Sequence, residues 1–272
     1  MLGKLLKYDL KAEYKTYGIL YIVLILTSFL SLVTSKILDN YPKNIVVEAI
    51  QKLFIAGVSV LSFSIFIITI VFSISRFYKN LLKDEGYLMH TLPVSTSQLI
   101  LSKYIAFFIW SIAAAVVVFF AVSISAGGFE WINIFAQGYR KGFEIVNHQD
   151  FTKFNIYLII LIVITPLAFM SHVYLSFAIG QLSNKNKLGM SVAAFVVIYF
   201  VEQIVSTIIT LLLPNSGVSF EYNSDIGPTT ETIEAFSKIT DYMLIGVIIT
   251  ALVAAAMYIV SNVILTKKLN LE

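Results

Sequence analysis

The chain has 272 residues, of which 58% are hydrophobic and 13% charged, and its mean hydropathy is +0.86. In soluble domains about a quarter of all residues are charged, so this chain has too few polar side chains to cover a water-exposed surface. This excludes a soluble globular protein and indicates an all-α integral membrane protein. The sequence has no cysteine, which excludes a disulfide framework and a cysteine nucleophile, and its net charge of +3 does not indicate nucleic-acid binding.

Six stretches of the sequence have the length and composition of transmembrane helices. A bilayer core of about 30 Å requires roughly 20 apolar residues in helical form, and the stretches lack the alternation of barrel strands. We expect Pro166 to kink the fourth helix, because proline removes a backbone donor. The six predicted spans are residues 17–35, 53–75, 99–126, 156–182, 190–213 and 242–266.

The distribution of positive charge predicts how the spans are oriented. Twelve of the 19 lysines and arginines lie on the side that holds both termini, and seven lie on the other side. Cytoplasmic segments carry the excess of lysine and arginine. Both termini are therefore predicted to be cytoplasmic, and segments 127–155 and 214–241 to be extracellular.

Residues 1–16 have the pattern of an amphipathic helix. Four lysines cluster on one side of a helical wheel and the leucines and tyrosines lie opposite, which is typical of a helix in the membrane surface. Asp9 and Glu13 fall on the apolar side. They are either solvated acids beside the first span or, because buried charge needs a partner, they contact protein. Arg76 and Lys79 are the candidate partners.

The loop between the second and third spans contains signals for a short helix. Asp84 can cap this helix, with Glu85 in its first turn, and it must end before Pro93. Its large apolar side chains either dip into lipid headgroups or need a partner surface. These are Tyr87, Leu88, Met89 and Leu92. A second helix is predicted to begin at Ser95, because Ser95 and Gln98 fit a capping box.

This loop also resembles a known family. The run from Lys83 to Ser95, KDEGYLMHTLPVS, followed by LILSK at 99–103, resembles the signature loop of small ABC-2-type permeases of Gram-positive bacteria. Within that group the chain is most similar to permease subunits of exporters for amphipathic peptides, such as the phenol-soluble-modulin and bacteriocin-immunity systems. The resemblance implies one transmembrane domain over 1–272, with an elbow helix at 1–16 and a cytoplasmic coupling loop at 76–98.

The resemblance further implies partner subunits. A second permease, in a homodimer or a heterodimer, and two cytoplasmic ATPase subunits would complete the transporter. The sequence of this chain has no P-loop, so ATP and Mg²⁺ would bind the ATPase and this chain would hold no cofactor. Residues 183–187 would form a minor second contact with the ATPase. The coupling residues would be Asp84, Glu85, Gly86, Tyr87, Leu88, Met89 and Leu92.

Three polar residues within the spans are candidate site residues, because ionisable groups in a membrane are costly unless paired or hydrated. His172 lies in the fourth span, and Glu202 and Gln203 lie in the fifth. We expect His172 to donate a hydrogen bond to Glu202. The pair is either part of a translocation path or amine site, or a structural clamp between helices.

The function predicted from the sequence is that of a permease subunit in an ATP-driven exporter. Its cargo would be hydrophobic or amphipathic, such as toxin or antimicrobial peptides, moved out across the bacterial plasma membrane. The alternatives are a secondary transporter or a channel that is not coupled to an ATPase. One histidine and one glutamate do not complete a metal site or a catalytic set, so the chain is not expected to be an enzyme or to bind a metal.

Both extracellular segments contain helical patterns. Aromatic residues recur every four positions in 127–155, which predicts an interfacial helix that either anchors the protein or covers an exit path. They are Trp131, Phe135, Tyr139 and Phe143. In 214–241, which is acidic, residues 229–239 are predicted to form a short helix of their own.

Overall fold

The computed structural model describes residues 2–41, 44–82, 94–128, 130–145, 148–183, 186–212 and 230–267, and every regular element in these ranges is helical. A π-helix, Tyr78–Leu82, continues the second α-helix. The α-helices are α1 (Leu2–Asn40), α2 (Ile45–Phe77), α3 (Thr96–Ser125), α4 (Glu130–Ile145), α5 (His148–Gly180), α6 (Lys187–Leu212) and α7 (Thr230–Lys267).

Six of these helices are long and apolar enough to cross a membrane, which confirms the six predicted spans. They are α1, α2, α3, α5, α6 and α7. Large apolar side chains point outward along them; Phe63, Val197 and Leu252 are each at least 60% exposed. Such a surface is unstable in water but is matched by hydrocarbon. Many of the serine and threonine side chains within the described helices donate to the carbonyl four residues earlier, as Thr69 does to Ile65, which satisfies these hydroxyls without a partner helix.

Helix ends differ from the sequence predictions in three places. Residues 2–16 are the first turns of α1 and run without a break into the first span, so an elbow that forms a separate helix is not confirmed. The second helix continues through the π-helix to Leu82, so residues 76–82 of the predicted coupling loop are helical. The prediction of a separate helix at 229–239 is wrong, because α7 begins at Thr230 and continues to Lys267. The predicted coupling helix at 84–92 lies outside the described residues.

Two other predicted features agree with the structure. Ser95 is the N-cap of α3 and its side chain accepts from the Gln98 backbone N–H. Helix α4 forms in the aromatic segment, where Trp131 packs edge-on against Phe119 with ring centroids 5.6 Å apart. Pro166 lies inside α5, which continues on both sides of it.

The chain divides into two compact units. Unit 1, Met1–Gln137, contains α1, α2 and α3, which all pack against one another. Its core is formed by buried apolar residues from all three helices. These are Leu24, Val58, Ile65, Ala114 and Ala121.

Two side-chain contacts show that α1 and α3 run parallel. Lys103 contacts Asp9 near one end, and Ser125 donates to Ser31 at 2.9 Å near the other. Both pairs are separated by 94 residues in the sequence. Since the offset is constant, the two helices lie side by side in one direction, as the first and third spans of a membrane protein must when each span reverses the chain.

Unit 2, Gly138–Glu272, contains α5, α6 and α7, with α5 packed against both of the others. Helices α5 and α6 approach closely at Gly180. A Cβ atom at this position would lie 1.9 Å from Ser191 Oγ and 2.7 Å from the Lys187 carbonyl oxygen. Only glycine permits this approach, which positions the polar residues farther along the two helices.

Candidate functional site

A cluster of four charged residues connects the three helices of unit 1. The charged cluster consists of Asp9 and Glu13 on α1, Arg76 on α2 and Lys103 on α3. Asp9, Glu13 and Lys103 are at most 7% exposed. The two acids lie one turn apart on the side of α1 that the leucines also occupy, so they enter the interior when α1 packs.

Asp9 has two partners on α3. Lys103 Nζ donates to Asp9 Oδ1, and Ser102 Oγ lies 3.3 Å from Asp9 Oδ2. Lys103 was not among the candidate partners predicted from the sequence, although its charge contributed to the predicted orientation and it ends the LILSK run. A lysine about two turns after the Ser95 cap is already inside an apolar helix, and the cost of burying it is the signal that indicates a partner.

Glu13 pairs with the residue that the sequence proposed. Arg76 Nε lies 3.0 Å from Glu13 Oε1, which confirms Arg76 as the partner. Glu13 precedes the predicted first span. Burial raises the pKa of its carboxyl group above the usual range, and the Arg76 guanidinium opposes this shift. The pair therefore offsets part of the cost of burying the acid.

The other candidate, Lys79, does not bond to Glu13 but lies near it. Both residues line a cavity of about 290 Å³ together with Thr16, Ser75, Arg76 and Asn80.

An aromatic layer covers the cluster one turn farther along α1. The ring of Tyr17 stacks on Trp110 of α3, with centroids 4.1 Å apart, and meets Phe72 of α2 edge-on. This layer separates the charges from the apolar core beyond.

The charged cluster lies where α1 meets both helices that flank residues 83–93. Arg76 is near the end of α2, just before the π-helix, and Lys103 is in the first turns of α3. The two ion pairs therefore join one helix, α1, to the helix that precedes residues 83–93 and to the helix that follows them. A buried pair is costly to break, at about 3–5 kcal/mol, so the three helix ends are held together.

In unit 2, His172 and Glu202 form the predicted contact. His172 Nδ1 lies 2.9 Å from Glu202 Oε2, and Nε2 lies 3.0 Å from the carbonyl oxygen of Phe195. These two residues are called the polar pair below. The imidazole is also packed against the Phe195 ring, with centroids 4.4 Å apart. Helix α6 thus holds both ring nitrogens of a histidine on α5.

The polar pair adjoins a cavity of about 470 Å³ between α6 and α7, called the α6–α7 cavity. Glu202 lines it, whereas Gln203, one residue later, is exposed and does not. Besides Glu202, polar lining comes from hydroxyl groups. They belong to Ser206, Thr210, Tyr242 and Thr250.

The structure brings together two of the predicted groups and leaves one untested. Asp9 and Glu13 belong to the charged cluster, and His172 and Glu202 form the polar pair. The coupling residues at 84–92 lie outside the described residues. Among those described, no group of three or more His, Asp or Glu residues could hold a metal ion. No protein-family model, curated protein or solved structure matches the chain.

Proposed function

We propose that this chain is the permease subunit of an ATP-driven exporter of the ABC-2 type, moving hydrophobic or amphipathic cargo, such as peptides, out across the plasma membrane. The observation that carries the proposal is the charged cluster. It fastens α1 to the helices before and after residues 83–93, and the sequence of these residues resembles an ATPase-coupling segment. A displacement of that segment would move α2, α3 and α1 together.

The partners follow from this proposal. Two ATPase subunits would bind ATP and Mg²⁺ and press on residues 84–92, and a second copy of the permease would complete the path. The apolar side chains at Tyr87, Leu88, Met89 and Leu92 would enter a groove on the ATPase. With both termini on the cytoplasmic side, this loop would lie on the same side as the nucleotide.

A secondary transporter is the second candidate, and the polar pair favours it. Proton-coupled transporters use histidine and acidic side chains within their membrane helices, as this pair is placed. A proton-driven transporter would need no ATPase, and the charged cluster would then be a structural fastening only. The two candidates differ in whether an ATPase binds the loop.

Co-purification from native membranes tests the proposal. Tagged wild-type chain is expected to retain an ATPase subunit, and the double variant Leu88→Asp/Leu92→Asp is expected to lose it, because two carboxylates cannot enter an apolar groove. The double variant Leu88→Ile/Leu92→Ile is the matched control and should retain the ATPase. Wild type without any ATPase, or full retention by the aspartate variant, would overturn the proposal.

A further inference from the structure

The hydrogen-bond geometry of the polar pair fixes how many protons it holds. His172 Nε2 faces the carbonyl oxygen of Phe195 at 3.0 Å, and a carbonyl oxygen only accepts, so Nε2 carries a hydrogen. Nδ1 and Glu202 Oε2 are 2.9 Å apart, so one hydrogen lies between them. The pair is either an imidazolium with a carboxylate or an imidazole with a carboxylic acid. Both forms have no net charge, and both leave Oε1 of Glu202 as an acceptor.

The remaining surface of Glu202 faces the α6–α7 cavity. Its side chain is 31% exposed, whereas that of His172 is 7% exposed, so the acid is the member of the pair that a ligand can reach. The cavity volume, about 470 Å³, lies within the range of roughly 300–1,000 Å³ that is typical of small-molecule sites. Most of its wall is aliphatic. The aliphatic lining residues are Val201, Val205, Ile209, Ile245, Ile249 and Val253.

We propose that the α6–α7 cavity binds the protonated amine of an amphipathic molecule, with the ammonium group at Glu202 and the apolar body along the aliphatic wall. An ammonium group has three donors and no acceptor, which complements Oε1 and the neighbouring hydroxyl oxygens. A cation also favours the ionised form of the carboxyl group, whereas an anion opposes it. Apart from Glu202, Tyr242 is the one titratable residue among those that line the cavity.

This inference adds a class of cargo to the proposed function. It rests on that function only where it treats the bound ligand as cargo. It names the chemical class of the cargo as amphipathic amines, which includes peptides with a lysine or a free amino terminus. Binding itself requires only the purified chain. The test therefore needs no ATPase, and its failure would leave the co-purification result standing.

Fluorescence anisotropy of dansylcadaverine, a fluorescent primary amine, measures binding to the full chain in detergent. Its N-acetylated derivative is the matched probe without the charge. Wild type should bind the amine about tenfold more tightly than the acetylated probe. Glu202→Gln should abolish this difference by weakening binding of the amine, and the glutamine amide can still donate to His172 Nδ1, which preserves the contact between the helices.

Two further variants separate the cavity from general effects. A Cβ atom at Gly246 would meet nothing within 4 Å, and Gly246 lines the cavity, so Gly246→Leu fills the site without disturbing the polar pair. It should weaken both probes at least fivefold. Gln203→Glu, added to Glu202→Gln, restores a carboxylate outside the cavity and should not restore amine preference.

Three results would overturn the inference. Equal affinity of wild type for the two probes would show an apolar site, filled by lipid chains or detergent. Undiminished amine preference in Glu202→Gln would remove the carboxyl group from the site. Unchanged binding of both probes to Gly246→Leu would place them elsewhere on the protein.

Discussion

The two units bury acidic residues in opposite ways. In unit 1, the charged cluster contains two acids and two bases, and three of the four side chains are nearly inaccessible. In unit 2, Glu202 has a single histidine partner, and almost a third of its side chain is exposed beside a cavity of about 470 Å³. In the first arrangement each acid pairs with a cation and is at most 7% exposed, whereas the acid of the second has a side chain that is 31% exposed.

This difference separates a structural role from a binding role. A buried charge that pairs with another protein group holds helices together. Removing one member of the pair leaves the other charge buried without a partner, which lowers the free energy of unfolding. Replacing a partly exposed acid such as Glu202 by a neutral residue should change the free energy of unfolding less, because its carboxyl group is not fully buried. Substitutions in the charged cluster should therefore change stability, and substitutions at Glu202 should change binding.

The largest effect is expected at Lys103. Lys103→Met leaves Asp9 buried without its cation, which should lower the free energy of unfolding by about 3–5 kcal/mol. Chemical unfolding in detergent measures this. The double variant Asp9→Asn/Lys103→Met should recover most of the loss, because it removes both charges. An unchanged stability in Lys103→Met would mean that Asp9 is not buried.

The close approach of α5 and α6 should give the next largest effect, within unit 2. Gly180→Ala places a Cβ atom against Ser191 and the Lys187 carbonyl, which should cost about 1–3 kcal/mol of unfolding free energy. Gly246→Ala is the matched control. It meets no atom within 4 Å and should stabilise by about 0.5–1 kcal/mol through helix propensity. Equal effects in unfolding experiments would contradict the packing.

Glu13→Gln should lower the free energy of unfolding less than Lys103→Met or Gly180→Ala. The glutamine oxygen can still accept from Arg76, so the contact changes from a charge-assisted to an ordinary hydrogen bond, a loss of about 1 kcal/mol. Burial raises the pKa of the Glu13 carboxyl group, so the variant removes a group whose ionised form is disfavoured. This limits the loss of stability. Unfolding in detergent provides the measurement, and a loss as large as that in Lys103→Met would show that the two pairs are not distinct.

The smallest effect on stability is expected at Glu202. Glu202→Gln keeps a hydrogen bond to His172, and polar contacts between membrane helices contribute about 0.6 kcal/mol on average. The loss of unfolding free energy should not exceed this amount, even though amine binding falls tenfold. A destabilisation of several kcal/mol would instead identify the polar pair as a structural clamp.

The sequence predicted the six spans because hydropathy and length are the properties that a bilayer selects. It did not predict where the helices end. The backbone of a helix is satisfied internally, so α2 can continue through polar residues beyond its apolar span to Leu82, and α7 can begin at Thr230, before its apolar span. A separate helix at 229–239 was predicted from local pattern, and the pattern cannot distinguish a short helix from the first turns of a long one.

Candidate pairs were predictable where a costly charge had few possible partners. Glu202 and His172 are ionisable residues at matching depth in neighbouring spans, and Arg76 was one of two cations proposed for the leader acids. Lys103 was not predicted as a partner, because its charge was interpreted as a marker of orientation. The parallel register of α1 and α3, which brings Lys103 to Asp9, depends on tertiary packing. The α6–α7 cavity also depends on tertiary packing, here that of the helices of unit 2.

Transport in proteoliposomes tests most directly whether the driving force comes from a partner ATPase. The chain would be reconstituted alone and together with the co-purified ATPase, and dansylcadaverine movement would be followed with ATP or with an imposed pH gradient. The account predicts movement only when the ATPase and hydrolysable ATP are both present. Movement by the chain alone, driven by the pH gradient, would contradict it.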